Sequence, residues 1–131
     1  MLLDTSGLMC IFDMRDFRHA DAIAFYDGAT RLLTHNYVVA EFVALAEARG
    51  MPRRKALEFV VDLLSDTEIE VVWIDESLNQ RALQLLQKFD DKFWSLCDAI
   101  SFLLMRENNI TEALTTDHHF EQAGFIKLLE S

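Results

Sequence analysis

Four acidic side chains stand in apolar surroundings in this sequence, and together they could do metal chemistry: Asp4, Glu41, Asp98 and Asp117. Asp4 closes the apolar run Met1-Leu2-Leu3 and is followed by two hydroxyls, Thr5 and Ser6; Asp117 closes Ala113-Leu114-Thr115-Thr116 in the same manner. Glu41 is the only charge between Tyr37 and Ala46, and Asp98 is flanked by Leu96, Cys97, Ala99 and Ile100. A carboxylate in such a setting is costly unless it is paired or bound to a cation. Carboxylates that converge also repel one another, so cations must hold them together. Hard oxygen donors without sulfur or imidazole suit Mg²⁺ or Mn²⁺, as one ion or two. Such ions orient and deprotonate a water, polarise a phosphodiester and stabilise the leaving oxygen.

Each acid also has a simpler role open to it. Asp4 and Asp117 precede expected helices, where a carboxylate can cap the free amides. Thr5 and Ser6 can take that duty from Asp4. Ser95-Leu96-Cys97-Asp98 fits a capping box in which the acid reaches back to the cap amide, and Glu41 could lie on a narrow solvent strip of its helix. The caps do not explain the four acids jointly.

The elements that must position them alternate along the chain. Leu2 and Leu3 form a short strand ending at Asp4, and Gly7 to Phe12 a first helix. His19 to Tyr26 reads as a helix that buries Ala20, Ile23, Ala24 and Phe25, with Gly28 as its stop. Leu32 and Leu33 suggest a second strand, and Thr34 and Asn36 offer caps for a helix from Tyr37 to Arg49 that Gly50 ends. Pro52 suits the first turn of the next helix, whose apolar stripe is Ala56, Leu57, Val60, Val61 and Leu64. Ile69 to Ile74 is the clearest strand by its β-branched and aromatic content. A helix from Glu76 to Phe89, a charged loop at Asp90-Asp91-Lys92 and an apolar helix from Ser95 to Asn108 follow. A strand over Ala113–Thr116, a short helix from His118 to Ala123 and a last strand over Phe125–Leu129 complete the chain. This order predicts an α/β fold, a three-layer α/β/α sandwich with a mainly parallel central sheet. In such folds the site collects at the carboxyl ends of the strands, where Asp4 and Asp117 both fall.

At 131 residues, 51% of them hydrophobic and only one a proline, the chain is expected to form one domain over 1–131 with a sizeable core. Charges interrupt every apolar run before membrane-spanning length, and Met1 leads into a strand with no basic segment before it, so a cytoplasmic protein without a membrane span is expected. Cys10 and Cys97 form no C-x-x-C pair and read as buried free thiols. His19 and His35 are isolated, and the adjacent His118 and His119 are expected to point to different sides of a helix, which disfavours a zinc site. The net charge of -10 works against contact with phosphate backbones. Four of the 22 acidic residues belong to the proposed cluster, however, and bound cations would offset them locally. Arg49, Arg53, Arg54 and Lys55 read first as a solvated helix–helix corner and second as a basic patch.

The segments Leu3-Asp4-Thr5-Ser6, Val39-Ala40-Glu41-Phe42, Leu96-Cys97-Asp98-Ala99-Ile100-Ser101-Phe102 and Leu114-Thr115-Thr116-Asp117-His118-His119-Phe120 resemble, in order and at similar spacing, the four acidic motifs of the PIN-domain ribonucleases. Length and element order match as well. Within that family the chain is most similar to the VapC-type toxins of toxin–antitoxin systems. The resemblance implies Mg²⁺- or Mn²⁺-dependent endonucleolytic cleavage of RNA by a metal-activated water, leaving a 5′-phosphate. It makes Asp4, Glu41 and Asp98 metal ligands, Asp117 a further ligand or a group just behind them, and Thr5 or Ser6 holders of a metal-bound water. It also implies a homodimer and a small antitoxin protein as partners. Two other functions are open: a PIN-like module that binds RNA or protein without cutting, and a phospho-acceptor signalling domain. The second needs an acidic pair after the first strand and a Lys ending a late one, whereas Asp4 stands alone and Lys127 lies within the final strand.

Overall fold

The computed structural model describes residues 1–131. Its strands are β1 (Leu2–Leu3), β2 (Leu32–His35), β3 (Ile69–Val72), β4 (Glu112–Leu114) and β5 (Ile126–Lys127). Its helices are α1 (Thr5–Phe12), α2 (His19–Gly28), α3 (Asn36–Ala48), α4 (Arg53–Ser65), α5 (Glu76–Lys88), α6 (Leu96–Glu107) and α7 (His119–Gln122). The strands form one sheet in the order β3-β2-β1-β4-β5, and every pairing is parallel. The three-layer expectation holds, and the sheet is wholly parallel.

The two layers of helices follow from strand alternation, in which successive side chains face opposite sides. Leu3, Leu32, Ile69 and Leu114 face one core, shared with Leu8 and Met9 of α1, Val38 and Phe42 of α3, and Ala56 and Leu63 of α4. Leu2, Leu33 and Ala113 face the other, shared with Ala82 of α5, Ile100, Phe102 and Met105 of α6, and Phe120 of α7. Phe102 anchors this second core, meeting Trp94 and Phe120 edge to face at 5.1 and 5.0 Å. None of the helices is long and apolar enough to cross a membrane.

Several local expectations change. In α2 only Ala22 is fully buried, and Ala20, Ala24 and Phe25 face solvent. In α4 the inward residues are Ala56, Phe59, Val60 and Leu63, whereas Leu57, Val61 and Leu64 are exposed. Helix α2 carries apolar residues around most of its circumference, so periodicity could not select its face; α4 has one broad apolar side, and the packing centres it on Ala56, Phe59, Val60 and Leu63 rather than on the stripe through Leu57, Val61 and Leu64. Helix α1 begins at Thr5, directly after Asp4, and β3, β4 and β5 are shorter than expected, with Thr115 and Thr116 in the loop after β4. The cap of α3 is neither Thr34 nor Asn36. His35 accepts the Val38 amide through Nδ1, Thr34 donates to the Leu3 carbonyl across the sheet, and Asn36 accepts the Ile74 amide. Pro52 stands at the N-cap of α4, one residue before its first turn. Gly50 ends α3 as expected, with a left-handed φ of 68°. Arg49, Arg53, Arg54 and Lys55 lie exposed around the α3–α4 corner, where Arg54 pairs with Glu58.

Candidate active site

The chain builds outward from β1 through β2 to β3, then returns to place β4 on the other side of β1. That reversal falls between β1 and β4, the point beyond whose carboxyl ends an open parallel sheet usually offers a ligand crevice. Asp4 leaves the end of β1 with its amide on the Leu114 carbonyl at 3.2 Å. Its carboxylate is buried and makes no capping bond to α1. Instead Oδ2 accepts the Thr115 hydroxyl at 2.7 Å. Thr115 in turn accepts the Asp117 amide at 3.0 Å, so one buried hydroxyl ties the two strand-end acids together. Ser6 sits beside them, 3.1 Å from the Thr115 hydroxyl, and accepts the Thr116 amide at 2.9 Å. Thr5 and Ser6 therefore do not act as the substitute caps expected from sequence. The Thr5 hydroxyl is buried with no hydrogen-bond partner.

Asp98 does both things the sequence allowed. It completes the capping box of α6, with Ser95 donating its amide to Oδ2 at 3.0 Å and accepting the Asp98 amide at 3.0 Å. The same Oδ2 lies 2.9 Å from Nδ1 of His119. Asp117 also has a local role, accepting the His119 amide at 2.9 Å. Glu41 departs from its expected setting: it is exposed on α3, so the cost of burying a lone charge does not apply to it. It nonetheless lies near the group, since its charge, after burial and together with that of Asp4, pushes the Cys97 thiol far up, and it also adds to the rise of Asp4.

The electrostatics identify Asp4 as the focus. Burial raises its pKa to about 7; the Thr115 hydroxyl opposes the rise, and the charges of Asp98 and Glu41 add to it. Asp98 is raised as well, by burial above all, with the Ser95 amide and His119 pulling the other way. No Lys or Arg pairs with Asp4, Glu41, Asp98 or Asp117. Oxygen donors gathered without a basic counter-charge, beside an unpartnered buried hydroxyl, suit a divalent cation.

Thr115 and His119, which hold the acids, escaped the sequence reading. Thr115 looked like an ordinary strand residue, and only the parallel register of β1 with β4 reveals it as the holder of Asp4. The histidines were set aside on the expectation that they diverge. In the structure His118 precedes α7 rather than belonging to it, and the two rings lie 4.6 Å apart between centroids. Both Nδ1 atoms approach Asp117 Oδ1, at 3.7 Å from His118 and 3.3 Å from His119. The available signal was the acid directly before the pair.

Comparison with known proteins bears on the family and the fold. Residues 1–126 match the PIN domain family. The 23S rRNA-specific endonuclease VapC20 of Mycobacterium tuberculosis, in strains CDC 1551 / Oshkosh and ATCC 25618 / H37Rv, is 28% identical over 129 residues, covering 98% of this chain and 97% of the relative. The crystal structure of M. tuberculosis VapC20, described as a sarcin-ricin loop cleaving toxin, superposes with a TM-score of 0.87 at 27% identity, over 98% of each chain.

Proposed function

The chain belongs to the PIN-domain family, and from that membership we propose that it is a VapC-like endoribonuclease that hydrolyses RNA phosphodiesters with a divalent metal ion at the β1–β4 crevice. The observation that carries the reading is Asp4: a buried carboxylate at the strand-end crevice, near other acids and without a basic partner, is poised for a cation. Asp4, Glu41 and Asp98 would hold Mg²⁺ or Mn²⁺, as one ion or two, with Asp117 as a further ligand or support. The bound metal would supply the activated water and stabilise the leaving oxygen.

The protein's own residues do the positioning. Thr115 fixes Asp4 and, through the Asp117 amide, the loop that carries Asp117. Ser95 and His119 fix Asp98 from two sides. Thr5 and Ser6 are proposed to hold a metal-bound water; the free Thr5 hydroxyl supports that role. Glu41 approaches from the solvent side, where its exposure leaves it free to swing onto an ion. The phospho-acceptor alternative loses its lysine, because Lys127 is bound to the Leu129 carbonyl at 3.1 Å and to the Ser131 hydroxyl at 2.6 Å.

The same proposal extends to a single domain over 1–131, a cytoplasmic setting, a homodimer and a small antitoxin that holds the enzyme in check. The deciding test is cleavage of an RNA pool with and without Mn²⁺, beside Asp98→Asn. The variant keeps an acceptor for the Ser95 amide, so it is expected to fold like the wild type while cleavage falls by about 100-fold or more. Equal cleavage by a stripped and remetallated variant would sink the assignment.

A further inference from the structure

The Asp117-His118-His119 run forms the tightest set of metal donors in the molecule. One donor atom from each residue lies within 4.8 Å of the others, and no other group of three His, Cys, Asp or Glu residues comes as close. We propose that these residues form a second metal site, selective for a zinc-class transition ion, whose occupation switches the nuclease off. The inhibitory part rests on the ribonuclease reading; the binding part does not.

The geometry fits the ion. Zinc bonds of about 2.0–2.2 Å at tetrahedral angles place neighbouring donors roughly 3.3 Å apart. Asp117 Oδ1 lies 3.3 Å from His119 Nδ1 and 3.7 Å from His118 Nδ1. Three protein donors leave a fourth position open. His118 is largely exposed, at 65%, so it can close onto an ion without disturbing the core.

The chemistry separates this site from the acidic one. Imidazole donors favour Zn²⁺, Co²⁺ and Ni²⁺ strongly over Mg²⁺, which prefers oxygen alone. Asp117 is common to both groups, and the two imidazoles beside it favour zinc over Mg²⁺ there, while Asp4, Glu41 and Asp98 remain to Mg²⁺. Occupation has a cost for the first site. His119 Nδ1 is the atom that now lies 2.9 Å from Asp98 Oδ2, and an ion bound there takes it away from Asp98 while drawing off Asp117. One event thus removes a support of one acid and engages another.

The test uses the whole chain with Mg²⁺ in excess, and Zn²⁺ and Co²⁺ as probes. Calorimetry is expected to show one equivalent of Zn²⁺ bound, and Co²⁺ to give the visible absorption of a tetrahedral site. His118→Ala, a change at an exposed residue outside the carboxylate group, is expected to weaken both by roughly tenfold or more. It should leave basal Mg²⁺-dependent cleavage intact but insensitive to Zn²⁺ at concentrations that silence the wild type. Unchanged Zn²⁺ affinity in His118→Ala, or displacement of Zn²⁺ by Mg²⁺, overturns the site. Zinc bound with undiminished cleavage overturns the switch. A protein that cuts no RNA with any metal instead fails the ribonuclease reading, and calorimetry still decides the zinc site.

Discussion

Asp4 would ionise freely in an unfolded chain, but in the crevice its pKa rises to about 7 because burial and the nearby charges of Asp98 and Glu41 disfavour the carboxylate. A raised pKa in the folded state means that the folded protein holds a proton the unfolded chain has released. The contribution of Asp4 to the stability of the metal-free protein is thus fully present below about pH 4 and is lost as pH rises through about 7. The shift from 3.8 to about 7 corresponds to something on the order of 4 kcal/mol. Asp4→Asn, which cannot ionise, is expected to gain on the metal-free wild type across that interval in urea unfolding, and to lose that advantage when Mn²⁺ is added. A constant difference between the two proteins from pH 4 to pH 8 would refute the buried charge. The four acids were recognisable in the sequence because charges interrupting apolar runs are conspicuous. Their individual settings were not: Asp4 and Asp98 are buried, Glu41 is exposed, and Asp98 and Asp117 carry local hydrogen bonds as well.

Among the elements, α1 is held against β4 at a distance only a glycine permits. A Cβ placed on Gly7 would stand 1.9 Å from the Leu114 carbonyl oxygen and 2.6 Å from its carbon, both backbone atoms that cannot yield. Gly7→Ala is therefore expected to destabilise by about 3 kcal/mol or more, the upper part of the overpacking range, despite the better helix propensity of alanine. Chemical denaturation measures it; a neutral outcome would mean that α1 is not seated on β4. The join between β2 and α3 depends on His35, which is fully buried, accepts the Val38 amide at 3.4 Å and lies 2.8 Å from the Ser101 hydroxyl of α6. Since Nδ1 is the acceptor, Nε2 carries the proton and donates to Ser101. Burial lowers the His35 pKa to about 3, so the unfolded chain takes up a proton that the folded one refuses. Stability from this group is present above about pH 6.5 and is lost as pH falls toward about 3. That slope opposes the one from Asp4 over the same interval. His35→Asn is expected to remove the acid-side loss, and Asp4→Asn the alkaline-side loss, so comparison of the two variants by urea unfolding separates them.

For the whole molecule, a net charge of -10 spread over 131 residues makes divalent cations matter beyond the single site, because RNA and protein repel without them. A cation that binds only the folded state raises its stability by mass action, by about 2.7 kcal/mol at roughly 100 times the dissociation constant. Mn²⁺ is therefore expected to raise the Tm of the wild type by several degrees, and that of Asp4→Asn and Asp98→Asn by markedly less. Absence of any shift at millimolar Mn²⁺ would leave the carboxylates without their cation. The same scale explains how the two strand-end acids, Asp4 and Asp117, come together from distant places in the sequence. Parallel pairing of β1 with β4 sets Leu3 beside Leu114, and the next residues of both strands then enter the same crevice.

By itself the sequence determined the order and type of the elements, the three-layer arrangement and the identity of the four acids, because these depend on local propensity and on the contrast between apolar runs and isolated charges. Only the tertiary structure decided which face of α2 is buried, since a helix with apolar residues around most of its surface carries no directional signal of its own, and where within the broad apolar side of α4 the buried centre falls. It also decided which partners hold the acids. Thr115 reaches Asp4 across 111 positions of sequence, and His119 joins Asp98 across 21, in contacts that depend on strand order and register and that local propensity does not encode.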